Sequence, residues 1–289
     1  MDVAPINQLA EPLKHQIRAS SIIPCFHNMV EELVYNAIDA RAQSIDVSID
    51  PYSASIKITD NGCGIDGDAL FKYVGEWNST SKRGTSTYGA KGEAIASIKV
   101  LSSRLTITTR PKGTATTYKK TFDAVTGCSQ MTFDSSAHNG INKFGTTIEA
   151  FNLFHCFPVR LRAMKPDVEM YAIRDFIQKL SVLHHGISWK LARFSSIVST
   201  DDYDIDNKHN KSNRKEILSL PSHFSVAKRF IALHRSKALL NMKAVRIAPA
   251  GQPFSISGML SPPLSDSCHW TKVKPELLLI SCHSITSTL

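Results

Sequence analysis

The feature that most constrains the fold is a change in the spacing of apolar residues before residue 60. From Cys25 to Ala42, apolar residues recur every three or four positions, which predicts an amphipathic helix. In Ser44–Ile49 and again in Ser55–Asp60 they alternate with polar residues, which predicts two strands. The glycine-containing turn Asn61–Gly64 follows directly. This part of the chain therefore combines a helix with two neighbouring strands.

Similar patterns continue along the chain. They predict further helices at Gly67–Trp77, Glu93–Leu101 and Val168–His185, and strands at Arg104–Arg110, Ala115–Phe122, Phe144–Phe151, Ala244–Ala248 and Phe254–Leu260. The polar stretch 195–218 offers almost nothing to bury. We interpret it as a domain boundary or a disordered insertion.

Composition excludes several classes of protein. With 289 residues, of which 42% are hydrophobic, the chain can bury a core. No run approaches the roughly 18 apolar residues of a membrane span, and the first residues lack the pattern of a secretion signal. The six cysteines are scattered without metal-ligand spacing, so we expect reduced thiols in a cytosolic or nuclear protein.

Charge is distributed unevenly along the chain. The formal net charge is +9, and because residues 1–150 are balanced, the whole excess lies in residues 151–289. This asymmetry favours a surface facing a polyanion in the second half. A merely solvated basic face explains the composition equally well.

Three polar residues of the first helix share one side. At about 100° per residue, Asn36 and Asp39 both lie within about 40° of Glu32, whereas Glu31 lies about 140° from Asn36. A carboxylate and an amide oxygen one turn apart suit a base that activates water and a ligand for Mg²⁺. Taken alone, such a stripe is more often simply the solvated edge of a helix.

Asp60 has the same strand parity as the apolar Ile56 and Ile58, so its carboxylate should point inward. It could accept a ligand's hydrogen bond, such as one from an adenine amino group, or it could cap the turn that follows. Gly62 and Gly64 permit the close backbone approach that both interpretations require.

A polar loop, 78–92, leads into the helix at Glu93. Glycines before a helix N-terminus expose backbone N–H groups to an anion, and Lys82 and Lys91 supply positive charge. The loop therefore predicts a phosphate-binding site. Gly84–Lys91 is not a P-loop, because Ala90 stands where the motif requires lysine.

Taken together, these motifs resemble the Bergerat-type (GHKL) ATPases, and most closely the MutL family of DNA mismatch repair proteins. The matching segments are Glu31–Ala40, Asp60–Ile65, Thr80-Ser81-Lys82, Gly89–Ala94, Gly145-Thr146-Thr147, Asn152–Phe154 and Pro158–Arg160. They occur in the family's order over roughly residues 10–260. Val74-Gly75 and Asn152–Arg160 are most similar to the third eukaryotic MutL homologue, a subunit of MutL-gamma.

The resemblance implies an α+β fold in which a Bergerat-type α/β sandwich precedes an S5-like transducer. It makes Glu32 the general base, Asn36 the Mg²⁺ ligand and Asp60 the partner of the adenine amino group. The nucleotide-binding residues that it implies are Asn36, Asp39, Asp60, Gly62, Gly64, Thr80, Ser81, Lys82, Gly89, Ala90, Lys91, Gly92, Glu93, Ala94 and Thr147. The implied cofactors are ATP and Mg²⁺.

The sequence departs from the family pattern at several points. Lys91 replaces the usual arginine, Tyr35 replaces a carboxylate frequent in bacterial members, and only Arg83–Thr87 separate Lys82 from Tyr88. We expect an ATPase domain at 1–194, a linker at 195–218 and a partial transducer at 219–271. The resemblance ends near Thr271, so we expect an unrelated tail at 273–289 and a truncated product without the C-terminal domain.

The resemblance implies a nuclear, ATP-binding and ATP-hydrolysing mismatch repair subunit. Nucleotide would drive N-terminal dimerisation with another MutL homologue, and the basic half would contact the DNA backbone without sequence preference. A role in meiotic recombination stays open. The alternative is a catalytically silent module that binds DNA or a MutL partner, because the short loop and the missing transducer lysine weaken the case for turnover.

Overall fold

The computed structural model describes residues 8–79, 88, 92–124, 126–134, 144–194, 214–223, 225–234, 243–247, 254–260 and 278–284. Helices in these segments are α1 Glu11–Ile22, α2 Phe26–Asp39, α3 Gly67–Lys72, α4 Ala94–Leu101, α5 Pro158–Ala163, α6 Pro166–Leu183 and α7 Val226–His234. Strands are β1 Ser44–Asp50, β2 Ser55–Asp60, β3 Arg104–Arg110, β4 Thr117–Asp123, β5 Ser129–Asp134, β6 Gly145–Phe151, β7 Ser188–Arg193, β8 Lys215–Leu220, β9 Lys243–Ile247, β10 Phe254–Leu260 and β11 Leu278–Ser284.

The chain divides into two compact units. The first contains Met1–Phe176 and Trp189–Ser219, and the second contains Ile177–Ser188 and Leu220–Leu289. An eight-stranded sheet has the order β5-β4-β3-β6-β2-β1-β7-β8. A separate three-stranded sheet in the second unit has the order β11-β10-β9 and is antiparallel. No helix in the described part of the chain is long and apolar enough to cross a membrane.

Strand register in the large sheet gives it one apolar face, called here the inner face. Ile58 of β2 pairs with Val47 on one side and Ile148 on the other, and Ile148 pairs with Ile107 of β3. All four side chains are buried. Because paired residues of antiparallel strands project to the same side, the inner face forms one continuous apolar surface.

The helices α2 and α4 contact the strands β2 and β3, and α1 contacts α4. The 3.6-residue period of α2 directs one side of the helix into the core. Its buried residues are Phe26, Met29, Val30, Leu33, Val34 and Ala37. The opposite side keeps the predicted polar residues, so α2 links the core to the candidate site.

Helix α3 begins at Gly67 as predicted, with a specific cap, but a second contact at its C-terminus ends it before the predicted Trp77. The Asp66 carboxylate accepts hydrogen bonds from the backbone N–H groups of Asp68 and Ala69. At the other end, Lys120 Nζ donates to the carbonyls of Leu70, Phe71 and Val74 at 2.8–3.0 Å. The helix therefore ends at Lys72, where a buried ammonium takes the place of further helical N–H donors.

Other predicted elements agree with the structure to within a few residues, but several elements were missed. The sequence analysis did not predict α1, β5, α5, β7, β8, α7 or β11. Two described strands lie in segments for which the sequence predicts no secondary structure. Strand β8 begins at Lys215, inside the predicted linker 195–218, and β11, inside the predicted tail 273–289, pairs with β10. Pairing with a neighbouring strand stabilises these two strands, which their composition does not reveal.

Candidate functional site

The predicted polar stripe lies on the half-buried side of α2. Glu32, Asn36 and Asp39 are all partly exposed, and the Asp39 carboxylate accepts a hydrogen bond from the backbone N–H of Tyr88 at 3.1 Å. Glu31 accepts instead from the side chain of Asn28 at 3.1 Å. The helix thus separates the two neighbouring glutamates, as the arithmetic of the sequence predicts.

Two tyrosine rings join α2 to the end of the predicted phosphate-binding loop. Tyr35 stacks on Tyr88 with ring centroids 4.6 Å apart and an angle of 9° between the rings, and Phe176 meets Tyr35 edge-on at 5.5 Å. Burial raises the pKa of both phenols, and the nearby Glu31 adds to the rise at Tyr35. Both rings therefore stay neutral in the physiological range.

Asp60 lies at the end of β2, and its carboxylate is largely buried. Burial raises the pKa of Asp60 to about 6, although hydrogen bonds from the backbone N–H groups of Gly62 and Thr146 oppose the rise. The Gly62 N–H lies 2.7 Å from Asp60 Oδ1. The carboxylate thus caps its own turn, as one of the two interpretations expects. A carboxylate accepts about four hydrogen bonds, so this cap leaves room for a ligand's donor.

The turn after Asp60 packs tightly against the end of α2. Asn61 Oδ1 accepts hydrogen bonds from the N–H groups of Gln43 and Ser44, both at 2.8 Å. A Cβ added at Gly62 would lie 2.7 Å from the Cβ and carbonyl oxygen of Ala40. The absence of a side chain at Gly62 therefore brings Asp60 next to the helix that carries Glu32 and Asn36.

Gly64 fixes the other side of the same turn. Its φ is +74°, and an added Cβ would overlap the carbonyl group of Arg110 at the end of β3. The next residue, Ile65, donates its N–H to the Thr109 hydroxyl at 2.9 Å. Both of the predicted glycines are thus required by the backbone of the turn.

The structure does not bring Thr147 to Asp60. Register pairs Asp60 with Thr146, whereas Thr147 pairs with Thr59 and contacts its hydroxyl at 3.1 Å on the opposite face of the sheet. Thr146 contacts the Thr109 hydroxyl at 3.0 Å on the inner face. Thr146 is therefore the threonine beside Asp60. Strand parity with the buried Ile148 could have identified it from the sequence.

Only part of the predicted phosphate-binding segment can be located. Gly92 has φ +64°, and an added Cβ would overlap the backbone of Ser79. Glu93 is the N-cap residue of α4, where it pairs with Arg18 of α1 instead of capping the helix with its side chain, and Ala94 is the first helical residue. Thr80, Ser81, Lys82, Gly89, Ala90 and Lys91 lie outside the described residues.

The donor atoms of the polar stripe fit a hard cation. Carboxylate and amide oxygens from Glu32 and Asn36 are the ligands that Mg²⁺ prefers, together with phosphate oxygens and water. The partly exposed N-terminus of α4 suits an anion because its first N–H groups have no helical partners. These elements supply oxygen donors, an anion-binding helix end and a buried carboxylate within one unit of the fold.

Comparisons with known proteins show which families the chain is similar to. Residues 25–143 match the family of histidine kinase-, DNA gyrase B- and HSP90-like ATPases. Human DNA mismatch repair protein Mlh3 is 28% identical over 266 residues, which is 89% of this chain and 16% of that protein. A MutL from Bradyrhizobium sp. (strain ORS 278) is 34% identical over 196 residues, or 65% of this chain and 30% of that protein.

Solved structures give the same fold. The N-terminal domain of a DNA repair protein matches with a TM-score of 0.66 and 22% identity, covering 87% of this chain and 72% of that one. The Aquifex aeolicus MutL ATPase domain complexed with ADP matches with a TM-score of 0.58 and 18% identity, covering 83% and 78%.

The sheet, its helices and these matches define a GHKL ATPase domain of the MutL type. The chain is a homologue of the MutL and Mlh3 DNA mismatch repair proteins. It spans less than a third of the length of these relatives, between 16% and 30%.

Proposed function

We propose that the chain binds ATP with Mg²⁺ at the site between α2, the Asp60 turn and α4, and hydrolyses it as an Mlh3-like mismatch repair subunit. The observation that carries the proposal is Asp60, a largely buried carboxylate whose pKa is raised to about 6 and which accepts hydrogen bonds from the backbone N–H groups of Gly62 and Thr146. Such a group gains from a ligand that donates a hydrogen bond, such as the amino group of adenine.

In this proposal each residue of the site contacts a different part of the nucleotide, the cation or the attacking water. Asp60 holds the base, Gly64 lets the backbone approach it, and Thr146 takes the place first predicted for Thr147. Lys82 and the backbone of Gly89–Ala94 hold the phosphates. Glu32 removes a proton from the attacking water, and Asn36 holds the cation. Mg²⁺, when bound, neutralises charge that develops on the phosphate oxygens.

Calorimetry with Mg²⁺ and a non-hydrolysable ATP analogue tests nucleotide binding. We expect saturable binding that Asn36→Ala and Asp60→Asn each weaken at least about tenfold, the loss of one good hydrogen bond or ligand in a desolvated site. The matched control is Asp68→Asn, which changes an exposed aspartate on α3. Undiminished binding by Asp60→Asn, in a protein shown to be folded, would refute the role of Asp60.

Hydrolysis is tested separately, because the silent module predicts binding without turnover. Glu32→Ala should reduce steady-state hydrolysis to the level of the blank and leave analogue binding intact. Glu31→Ala is the matched control, since Glu31 lies next in sequence but bonds to Asn28. Binding without hydrolysis by the wild-type chain would favour the silent module over the enzyme.

Binding to DNA and to a second MutL homologue, and nuclear location, form the wider part of the proposal. The support is the basic second half of the chain and the names of the relatives. DNA affinity should not depend on sequence and should fall steeply as salt rises, because each phosphate contact releases a counterion. Affinity that is independent of salt, measured by fluorescence anisotropy, would contradict it.

The domain division is proposed as well: an ATPase domain at 1–194, a linker that now ends before Lys215, and a transducer-like part that includes β9, β10 and β11. Limited proteolysis should cut first between residues 195 and 214 if this division holds. Initial cleavage inside β1–β4 would contradict it.

A further inference from the structure

A second cluster of chemically reactive side chains lies away from the candidate nucleotide site, at the opposite end of α2. Cys25 precedes the helix, His27 lies in its first turn, and Glu169 comes from the first turn of α6. One sulfur, nitrogen or oxygen atom from each residue lies within 4.8 Å of the other two. All three residues belong to the first unit of the fold.

The Glu169 carboxylate is the fixed centre of this cluster. Its Oε2 accepts the His27 backbone N–H and contacts His27 Nδ1, both at 2.8 Å. The side chain of Glu169 is only 11% exposed. These bonds also cap α2, whose N-cap residue Cys25 makes no capping bond with its side chain. Carboxylate and imidazole are therefore held in place before any ligand arrives.

Cys25 is the third member of the cluster. Its thiol is free of any disulfide and is half-buried. Burial, and then the negative charge of Glu169, raise the pKa of the Cys25 thiol, whereas Arg160 acts in the opposite direction. A divalent cation would reverse this effect, because a coordinated thiol loses its proton.

The space beside the cluster leaves room for a further ligand. Cys25 and Glu169 line a cavity of about 290 Å³ together with Arg160 and Met164. One water in that cavity would supply the fourth ligand of a tetrahedral site. Thiolate and carboxylate together would balance the charge of a divalent ion.

We propose that Cys25, His27 and Glu169 form a binding site for zinc or a similar borderline transition metal. A set of one sulfur, one nitrogen and one oxygen ligand selects Zn²⁺ over Mg²⁺ or Ca²⁺, which require oxygen ligands. The site ties the start of α2 to α6. It is separate from the proposed nucleotide site and does not depend on ATP binding.

Titration of the full chain with Co²⁺, without nucleotide, tests the site. We expect one equivalent to bind with a thiolate-to-metal charge-transfer absorption, and Zn²⁺ to displace it. Cys25→Ser should abolish this absorption. Cys156→Ser is the matched control, because Cys156 is likewise half-buried but lies outside the cluster, and it should leave the absorption unchanged. Absence of the band, or its survival in Cys25→Ser, would overturn the proposal.

A second set of measurements distinguishes loss of metal binding from loss of folding. Glu169→Gln keeps an oxygen that can cap α2 but removes the anionic ligand, so the folded protein should bind Co²⁺ on the order of tenfold more weakly or worse. Zn²⁺ should raise the Tm of the wild type and Cys156→Ser but not that of Cys25→Ser. Asn36→Ala should keep the metal response, so failure of nucleotide binding and failure of this site are distinguishable. Equal Zn²⁺ stabilisation of Cys25→Ser would count against the site.

Discussion

Two charged groups, Lys120 and Asp60, lie at the inner face of the same sheet, and they differ in how far their hydrogen-bonding capacity is used. Lys120 on β4 is 4% exposed and donates to three backbone carbonyls at the end of α3. Asp60 on β2 accepts from two backbone N–H groups. An ammonium has three donors, so Lys120 is saturated, whereas a carboxylate with two donors retains capacity. Lys120 therefore stabilises the fold, whereas the Asp60 carboxylate can accept a further hydrogen bond from a ligand.

The largest effect should come from Gly64, which fixes the turn beside Asp60. Gly64→Ala places a Cβ against the Arg110 carbonyl at positive φ, and we expect a loss of about 4 kcal/mol of unfolding free energy, measured by urea denaturation. Gly113→Ala is the matched control, because Gly113 has φ +86° but no atom within 4 Å of the added Cβ. Its cost should be about 1 kcal/mol. Equal costs for the two variants would contradict the close packing of the turn.

Removal of Lys120 tests the structural side of the comparison. Lys120→Ala leaves the carbonyls at the end of α3 without their donor, and we expect a loss of about 3 kcal/mol of unfolding free energy. The neighbouring Lys119 is exposed, so Lys119→Ala should change stability by no more than about 0.5 kcal/mol. The folded fraction of Lys120→Ala should still bind nucleotide. If Lys120→Ala were stable but could not bind nucleotide, Lys120 would have a role in nucleotide binding instead of in the stability of the fold.

The pH dependence of stability tests the functional side. The folded pKa of Asp60 is about 6, above its usual value of 3.8, so the folded state holds the proton more tightly than the unfolded state. Unfolding free energy should therefore fall by on the order of 2 kcal/mol as pH rises from about 4 to about 6. Asp60→Asn should remove this dependence, as urea denaturation at several pH values would show. The same slope in the wild type and in Asp60→Asn would contradict the raised pKa of this carboxyl group.

The smallest effect concerns the stacked rings of Tyr35 on α2 and Tyr88 near the end of the predicted phosphate-binding loop. A double-mutant cycle on Tyr35→Leu and Tyr88→Leu should give a coupling free energy of about 1 kcal/mol, typical of an aromatic pair. Tyr35→Phe keeps the ring and should retain that coupling with Tyr88. Zero coupling in thermal or chemical denaturation would mean that the stack does not stabilise the fold.

Local patterns predicted α2, β1, β2 and the turn of Asp60, because period and parity act within a few residues. They also placed Glu32, Asn36 and Asp39 on one helix side. Thr147, in contrast, is implied by the family resemblance alone, whereas strand parity with the buried Ile148 indicates Thr146, which pairs with Asp60.

Other features depend on contacts between residues far apart in the chain. Nothing in the sequence around Lys120 on β4 indicates that it caps α3, because the Leu70 carbonyl that it contacts lies 50 residues earlier. Glu169 reaches His27 across a sequence separation of 142 residues, so the Cys25 cluster was also invisible to local patterns. Short elements such as α5 and β5 were missed because neighbours stabilise them more than their own periodicity does.

Arg18 of α1 contacts both Asn78, where the predicted phosphate-binding loop 78–92 begins, and Glu93, which follows its end. One side chain thus joins both ends of that loop, and the backbone of Gly92 also lies close to that of Ser79. Once the ends are anchored, doubling the number of residues between them costs only about 0.6 kcal/mol of closure entropy. A change in the number of loop residues therefore costs little stability, whereas loss of Arg18 removes the contact between both ends at any loop length.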